Sequence, residues 1–170
     1  LVKIKLSIKK ELTKIYKQLY FKNTYFVHRD FHVSNIMILK NQIGLIDSQD
    51  AILGNPLYDV ASLIDDVRIE IPKQVQDILF KYYIQKSKFT TKEAFNLKKD
   101  FDILSVQRNL KILGIFVRLL KRDGKSNYLK YLSRVWRLLD LRLKNPVFKD
   151  LRNVIDKNLS IKNIKKFKFQ

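Results

Sequence analysis

The residues that most constrain this chain are 26 to 39, FVHRDFHVSNIMIL. A polar run, His28 to Asn35, is held between two apolar segments, TYFV before it and IMIL after it. Both flanks are rich in β-branched and aromatic residues and read as short strands. A further apolar run, IGLI, follows across KNQ, which is the pattern of a small hairpin. Asp47 comes directly after it. If Ile36 to Leu39 and Gly44 to Ile46 run antiparallel around so short a turn, Asp47 returns to the end that carries Asn35. Asp30, Asn35 and Asp47 are then expected in one polar cluster, on a hairpin buried inside the domain.

The remainder reads as helix. Residues 6 to 20 place Leu6, Leu12, Ile15, Tyr16, Leu19 and Tyr20 on one stripe with lysines opposite. After the turn GNP, LYDVASLIDDV has helical spacing, with Leu57, Val60, Ala61 and Ile64 on a shared face. Pro72 suits the first turn of another helix, with Val75, Ile78, Leu79 and Tyr82 expected inward. Thr90 and Glu93 match a capping box that opens a long helix, which Gly124 would end. In it Leu110, Leu113, Phe116, Val117 and Leu120 make a core face. Arg108, Asn109 and Lys111 are expected on the solvated side, with reach to a sugar or phosphate as the alternative. Ser126 is placed to cap a further helix, and Asn145 with Pro146 to start the last one. The expected fold is mainly α with a small β-hairpin.

Composition excludes more than it assigns. The chain has 170 residues and 46% apolar content, enough for one domain with a core. Without cysteine it can form neither a disulfide framework nor a thiolate metal site. That fits a reducing compartment, and a cytoplasmic location is expected. No apolar run approaches the roughly 20 residues that span a bilayer, so no membrane partner is expected. The net charge of +19 raises the question of nucleic acid. However, the lysines are spread from Lys3 to Lys168, and only the tail KNIKKFKF is locally dense. With no nucleic-acid motif in view, a solvated lysine-rich surface is the expectation for the body of the chain.

Phosphoryl transfer needs a carboxylate that accepts or orients the proton of the attacking hydroxyl. It also needs oxygen ligands that hold magnesium against nucleotide phosphates. Asp30, Asn35 and Asp47 supply one base and two ligands. An Asp/Asn/His turn can also be a loop bonded to its own backbone. The motif gains weight from its combination with an apolar hairpin, with LID, and with a helix carrying Asp59.

HRDFHVSN followed by GLIDSQDAILGNPLYDVASL resembles the aminoglycoside phosphotransferase family, whose fold is that of the protein kinases. The likeness continues through QRNLKILGIFVRLLKRDGKSNYLKYLSRVWRLLD and NPVFKDLRNVID. That span resembles the bacterial N-acetylmuramate/N-acetylglucosamine anomeric kinases, which phosphorylate the sugar at C1 in cell-wall recycling. The resemblance implies ATP and Mg²⁺ as cofactors, an amino sugar as substrate, Asp30 as catalytic base, and Asn35 and Asp47 as magnesium ligands. It implies that His28 is a structural member of the loop, that Asp50 organises the loop, and that Asp59 holds it through backbone N–H groups. His32 stands where protein kinases carry a lysine. Ser48 departs from the aromatic residue usual after the metal-binding aspartate.

Eleven residues separate Asp47 from Asp59, too few for an activation loop with a peptide-docking segment. A small-molecule acceptor is therefore favoured over a protein. A kinase of this fold also needs a glycine-rich loop, a strand lysine and a helix glutamate. The four glycines, at 44, 54, 114 and 124, cannot form such a loop. The chain begins at Leu1, and its only methionine is Met37. Residues 1–157 are thus expected to be the C-terminal, catalytic lobe of a longer enzyme. The N-terminal nucleotide lobe would lie upstream, residues 158–170 would form a basic tail, and the chain alone would be inactive. The alternative is a degenerate kinase lobe acting as a binding or scaffold protein.

Overall fold

The computed structural model describes residues 2–87 and 89–158. The expected basic tail lies outside the described residues from Leu159 onward. The described chain is mostly helical, as expected, and divides into two compact units. One unit is Tyr20–Arg108; the other joins Leu1–Leu19 to Asn109–Gln170.

The Tyr20–Arg108 unit contains four short strands. They are β1 (Tyr25–Val27), β2 (Ile36–Leu39), β3 (Gln42–Leu45) and β4 (Ile52–Gly54). The expected hairpin forms, with β2 antiparallel to β3 in the register Ile36↔Leu45 to Leu39↔Gln42. A second antiparallel pair, β1 with β4, was not foreseen: Tyr25 faces Gly54 and Val27 faces Ile52. Gly54 is needed there because a Cβ would stand 2.8 Å from Val27 Cγ2. The hairpin is not buried. Ile38 is 89% exposed and Ile43 73%, and Met37, Leu39, Leu45 and Ile46 are also exposed. Alternating strands without an element over either face leave their apolar side chains in solvent.

Helix α2 (Leu57–Ile64) buries Leu57, Ala61 and Ile64, as its spacing predicts, and packs on α3 (Lys73–Lys86). In α3 the inward face is rotated from the expected one. Val75, Ile78 and Tyr82 are exposed, whereas Gln76 is buried. Gln76 donates to the Ile71 carbonyl at 3.2 Å, and Phe80 and Tyr83 meet Phe101 and Phe89. An amide that satisfies a loop carbonyl and two aromatic rings outweigh three smaller contacts.

Helix α4 (Thr91–Asp123) opens on the expected capping box. Thr90 N donates to Glu93 Oε2 at 2.8 Å, and Glu93 N donates back to Thr90 Oγ1 at 3.3 Å. Its stripe Leu97, Phe101 and Leu104 is buried. Asp100, also fully buried, accepts the N–H groups of Tyr20 and Phe21 and the Asn55 Nδ2, all at 2.9–3.1 Å. Asn55 in turn accepts Leu57 N at 3.0 Å, so one carboxylate ties the chain before β1 to the start of α2. Asp100→Ala leaves three donors without an acceptor, at about 1–3 kcal/mol each. We expect urea unfolding to register a loss of at least about 3 kcal/mol. A loss below about 1 kcal/mol would show that water replaces the carboxylate at little cost.

In the other unit, α1 (Val2–Tyr16) packs on α6 (Lys149–Asn158). Helix α1 ends earlier than its stripe suggests, and Leu6, Tyr16 and Tyr20 are exposed while Ile15 is buried. Gly124, at φ 64°, ends α4 as expected. Ser126 does not cap a long helix. It opens a 3₁₀ turn, Ser126–Tyr131, and α5 (Leu132–Arg142) follows. Asn145 accepts Val147 N at 3.1 Å and starts the Pro146–Phe148 turn ahead of α6. Arg152 pairs with Asp140 of α5 and Asp156 of α6, each at 2.9 Å. Val135, Leu139, Phe148, Leu151 and Ile155 form the dry core.

Among the described residues no helix is long and apolar enough to cross a membrane.

Candidate active site

The loop between β1 and β2 is fixed from three sides. Asp59, in the first turn of α2, accepts His28 N at 2.6 Å and Arg29 N at 3.0 Å. This clamp is made from a helix that begins just after β4. Burial outweighs those two donors and holds the Asp59 carboxyl above the usual carboxylate range. His28, 2% exposed, donates from Nε2 to the Ile46 carbonyl at 3.0 Å and so pins the end of β3.

Asn35 makes the third tie. Its Nδ2 donates to the Asp30 carbonyl at 2.9 Å, and its own carbonyl accepts Ile46 N at 3.1 Å. The second bond continues the β2–β3 ladder by one step and sets Asp47 beside the Asn35 end of the hairpin. Asp30, Asn35 and Asp47 are thus brought to one end of the hairpin, as the spacing predicts. The half-buried Asp30 accepts no side-chain hydrogen bond among the described residues. Asp47 is exposed and takes Gln49 Nε2 on Oδ1 at 2.6 Å. Asp50 is the residue expected to organise the loop. Its backbone carbonyl accepts Arg29 Nη1 at 3.2 Å, and the carboxylate is exposed.

Among the described residues only two that are not glycine have positive φ, Arg29 at 74° and Asp47 at 69°. They flank this one cluster. Such conformations cost of order 1–3 kcal/mol each and persist where surrounding bonds enforce them, commonly at functional sites. Here the Asp59 clamp and the His28–Ile46 bond do the enforcing.

Among the described residues no group of three His, Cys, Asp or Glu could hold a metal by itself. The donor set at the hairpin is an amide oxygen and a carboxylate. Asn35 spends only its nitrogen on Asp30, and Asp47 spends one carboxylate oxygen on Gln49. Two hard oxygen donors on one side, with the other positions left to phosphate and water, suit Mg²⁺.

A second layer of polar residues was not legible. His32 and Arg108 are 6% and 4% exposed, Asp66 is 2%, and the expected solvated face holds only for Lys111, since Asn109 is fully buried. Burial, with the charges of Arg68 and Arg108, lowers the His32 pKa below its ordinary value. The one available signal is periodic: Arg108 continues the i, i+4, i+7, i+11 stripe of Leu97, Phe101 and Leu104. A charged group on a core stripe marks either a buried pair or a site.

A profile described as Phosphotransferase enzyme family, APH, matches residues 11–94, which include the loop, the hairpin and α2. Three curated relatives carry the name N-acetylmuramate/N-acetylglucosamine kinase. The one from Caulobacter vibrioides is 29% identical over 143 residues, 81% of this chain and 39% of its own length. That from Neisseria meningitidis serogroup B is 40% identical over 123 residues, 66% of this chain and 37% of its own. That from Pseudomonas aeruginosa is 35% identical over 119 residues, 68% of this chain and 35% of its own. The chain therefore spans less than two-fifths of the length of these relatives. With the clamp, the polar loop and the hairpin all inside the matched stretch, the chain belongs to the phosphotransferase enzyme family.

Proposed function

We propose that this chain is the catalytic lobe of an ATP-dependent phosphotransferase. Its acceptor in this reading is the anomeric hydroxyl of N-acetylmuramate or N-acetylglucosamine. The observation that carries the reading is the clamp of Asp59 on the N–H groups of His28 and Arg29. It holds a loop whose Asp30 carboxylate is unengaged, next to two oxygen donors fit for magnesium. Asp30 orients the acceptor hydroxyl and takes its proton as that oxygen bonds to the γ-phosphorus and the bond to the ADP oxygen breaks. Asn35 and Asp47 would hold Mg²⁺, which when bound neutralises the phosphate oxygens. His28 and Asp59 keep the loop in place and touch neither reactant.

The names of the relatives favour an amino sugar, and the eleven residues between Asp47 and Asp59 favour a small acceptor over a protein. Return of cell-wall sugars to cytoplasmic metabolism is the role that chemistry suits. We assign the cover over the nucleotide to residues outside this chain. Two observations support this. The relatives are matched over less than two-fifths of their length, and Ile38, Ile43 and Leu45 stand in solvent beside the site. The chain alone is accordingly expected to turn over little or no ATP.

The test is ³¹P NMR of the protein that carries this chain, with ATP, Mg²⁺ and each sugar in turn. A sugar 1-phosphate should appear together with ADP. ATP consumption without a phosphorylated sugar, or no consumption at all, would overturn the assignment.

A further inference from the structure

The catalytic reading leaves one group of buried polar atoms unused. Asp66 Oδ2, Arg108 Nη1 and His32 Nδ1 are each buried without a hydrogen-bond partner. They come from three parts of the Tyr20–Arg108 unit: the loop after Asp30, the turn after α2, and α4. Arg108 is within electrostatic reach of Tyr58, Asp66, Arg68 and Asp30, and His32 is within reach of Arg68, Asp66, Arg108 and Asp30. The group is therefore one cluster on the Asp30 side of the unit.

Its bonding is incomplete in a specific way. Asp66 Oδ1 accepts Arg68 N at 2.9 Å and meets Arg68 Nη1 at 3.5 Å, while Oδ2 accepts nothing. A guanidinium taken out of water with one of its nitrogens unpaired is costly unless something supplies an oxygen. Arg108 lies within electrostatic reach of Asp66, yet no hydrogen bond joins the two. Here the carboxylate oxygen and the guanidinium nitrogen both remain open, as they would if a third body bridged them. That body must offer a hydroxyl to Asp66 and an oxygen acceptor to Arg108. A neutral hydroxyl can donate to Asp66 and accept from Arg108, but only an acid also brings a negative charge to the buried guanidinium. A hydroxylated acceptor that also carries an acid satisfies both.

We propose that Arg108 and Asp66 form the acceptor-recognition site, with Asp66 Oδ2 accepting a sugar hydroxyl and Arg108 Nη1 binding a carboxylate of the same molecule. His32 Nδ1 closes the site beside Asp30. The inference rests on the phosphotransferase reading and adds specificity to it: the acid-bearing sugar, N-acetylmuramate, is preferred over N-acetylglucosamine because Arg108 reads its carboxylate. The same guanidinium could instead meet an oxyanion of the nucleotide, and the experiment separates the two.

The protein that carries this chain is titrated calorimetrically with N-acetylmuramate, N-acetylglucosamine and MgATP, as wild type and as Arg108→Gln. The wild type should bind N-acetylmuramate more tightly than N-acetylglucosamine. Arg108→Gln should weaken N-acetylmuramate by about ten- to a hundredfold, the worth of a hydrogen bond to a charged group, and leave N-acetylglucosamine within about threefold. Equal weakening of both sugars assigns Arg108 to the frame and overturns the proposal. So does weakened MgATP binding with both sugars unchanged. Asp66→Asn, nearly isosteric, is the second variant and decides the matter if Arg108→Gln fails to fold. It should weaken both sugars alike, and unchanged binding of both would also overturn the site. Phosphate transfer by the wild type is scored separately. If neither sugar is phosphorylated or bound, the phosphotransferase reading and this one fall together. If both are phosphorylated with no carboxylate preference, only this one falls.

Discussion

Replacing Asp30 by Asn in the protein that carries this chain is expected to lower kcat by about 10²–10⁴, the usual worth of a positioned general base. KM for the sugar should change little, because the amide can still orient the hydroxyl while losing the capacity to take its proton. The fold should survive. The loop is held by Asp59 on His28 N and Arg29 N, and Asn35 bonds the Asp30 carbonyl, not its carboxylate. Steady-state kinetics beside a thermal melt check both halves of the expectation. A variant that melts like the wild type and retains more than about a tenth of its rate would remove Asp30 from the chemistry.

Asp47→Ala is expected to abolish magnesium-dependent transfer. One of the two oxygen donors assigned to the ion disappears, and the remaining Asn35 amide is neutral, so charge as well as coordination is lost. The same substitution adds strain, since alanine tolerates a φ of 69° less well than aspartate. A small loss of stability should therefore accompany the loss of activity. Magnesium titration of ATP turnover is the measurement. Activity that returns at raised magnesium would show weakened affinity only, and activity unchanged at ordinary magnesium would sink the assignment.

Local spacing made the loop legible. Asp30, Asn35 and Asp47 are gathered by a hairpin whose turn and register are short-range properties. The tie from Asp59 was expected only through the family resemblance, since the β1–β4 pair that precedes α2 was not foreseen. Surroundings were not legible in the same way. IMIL and IGLI carry the same apolar residues whether a neighbour covers them or not, so their exposure could not be read from the strands themselves. In α3 the spacing of Val75, Ile78 and Tyr82 was a fair helical stripe, but a buried amide and two rings set the rotation. Arg108 was misplaced for a related reason. A long cation reads as solvent-facing, and only the packing of α4 reveals that its position belongs to the core stripe. Asp100 escaped notice because its three donors are backbone or amide groups some 45 to 80 residues away in sequence.

The pairing of α1 with α6 bears on the order of events during synthesis. Tyr20–Arg108 has all its residues in one continuous stretch and can close as soon as α4 has left the ribosome, since domains fold as units once complete. The other unit cannot. Val2–Tyr16 must wait for Lys149–Asn158, more than 130 residues later, before its α6 partner has been made. Until then its apolar residues are available to chaperones and to wrong partners. Shortening the chain at either end removes a helix from the same late-forming unit, so truncations at opposite ends should produce the same defect in folding yield.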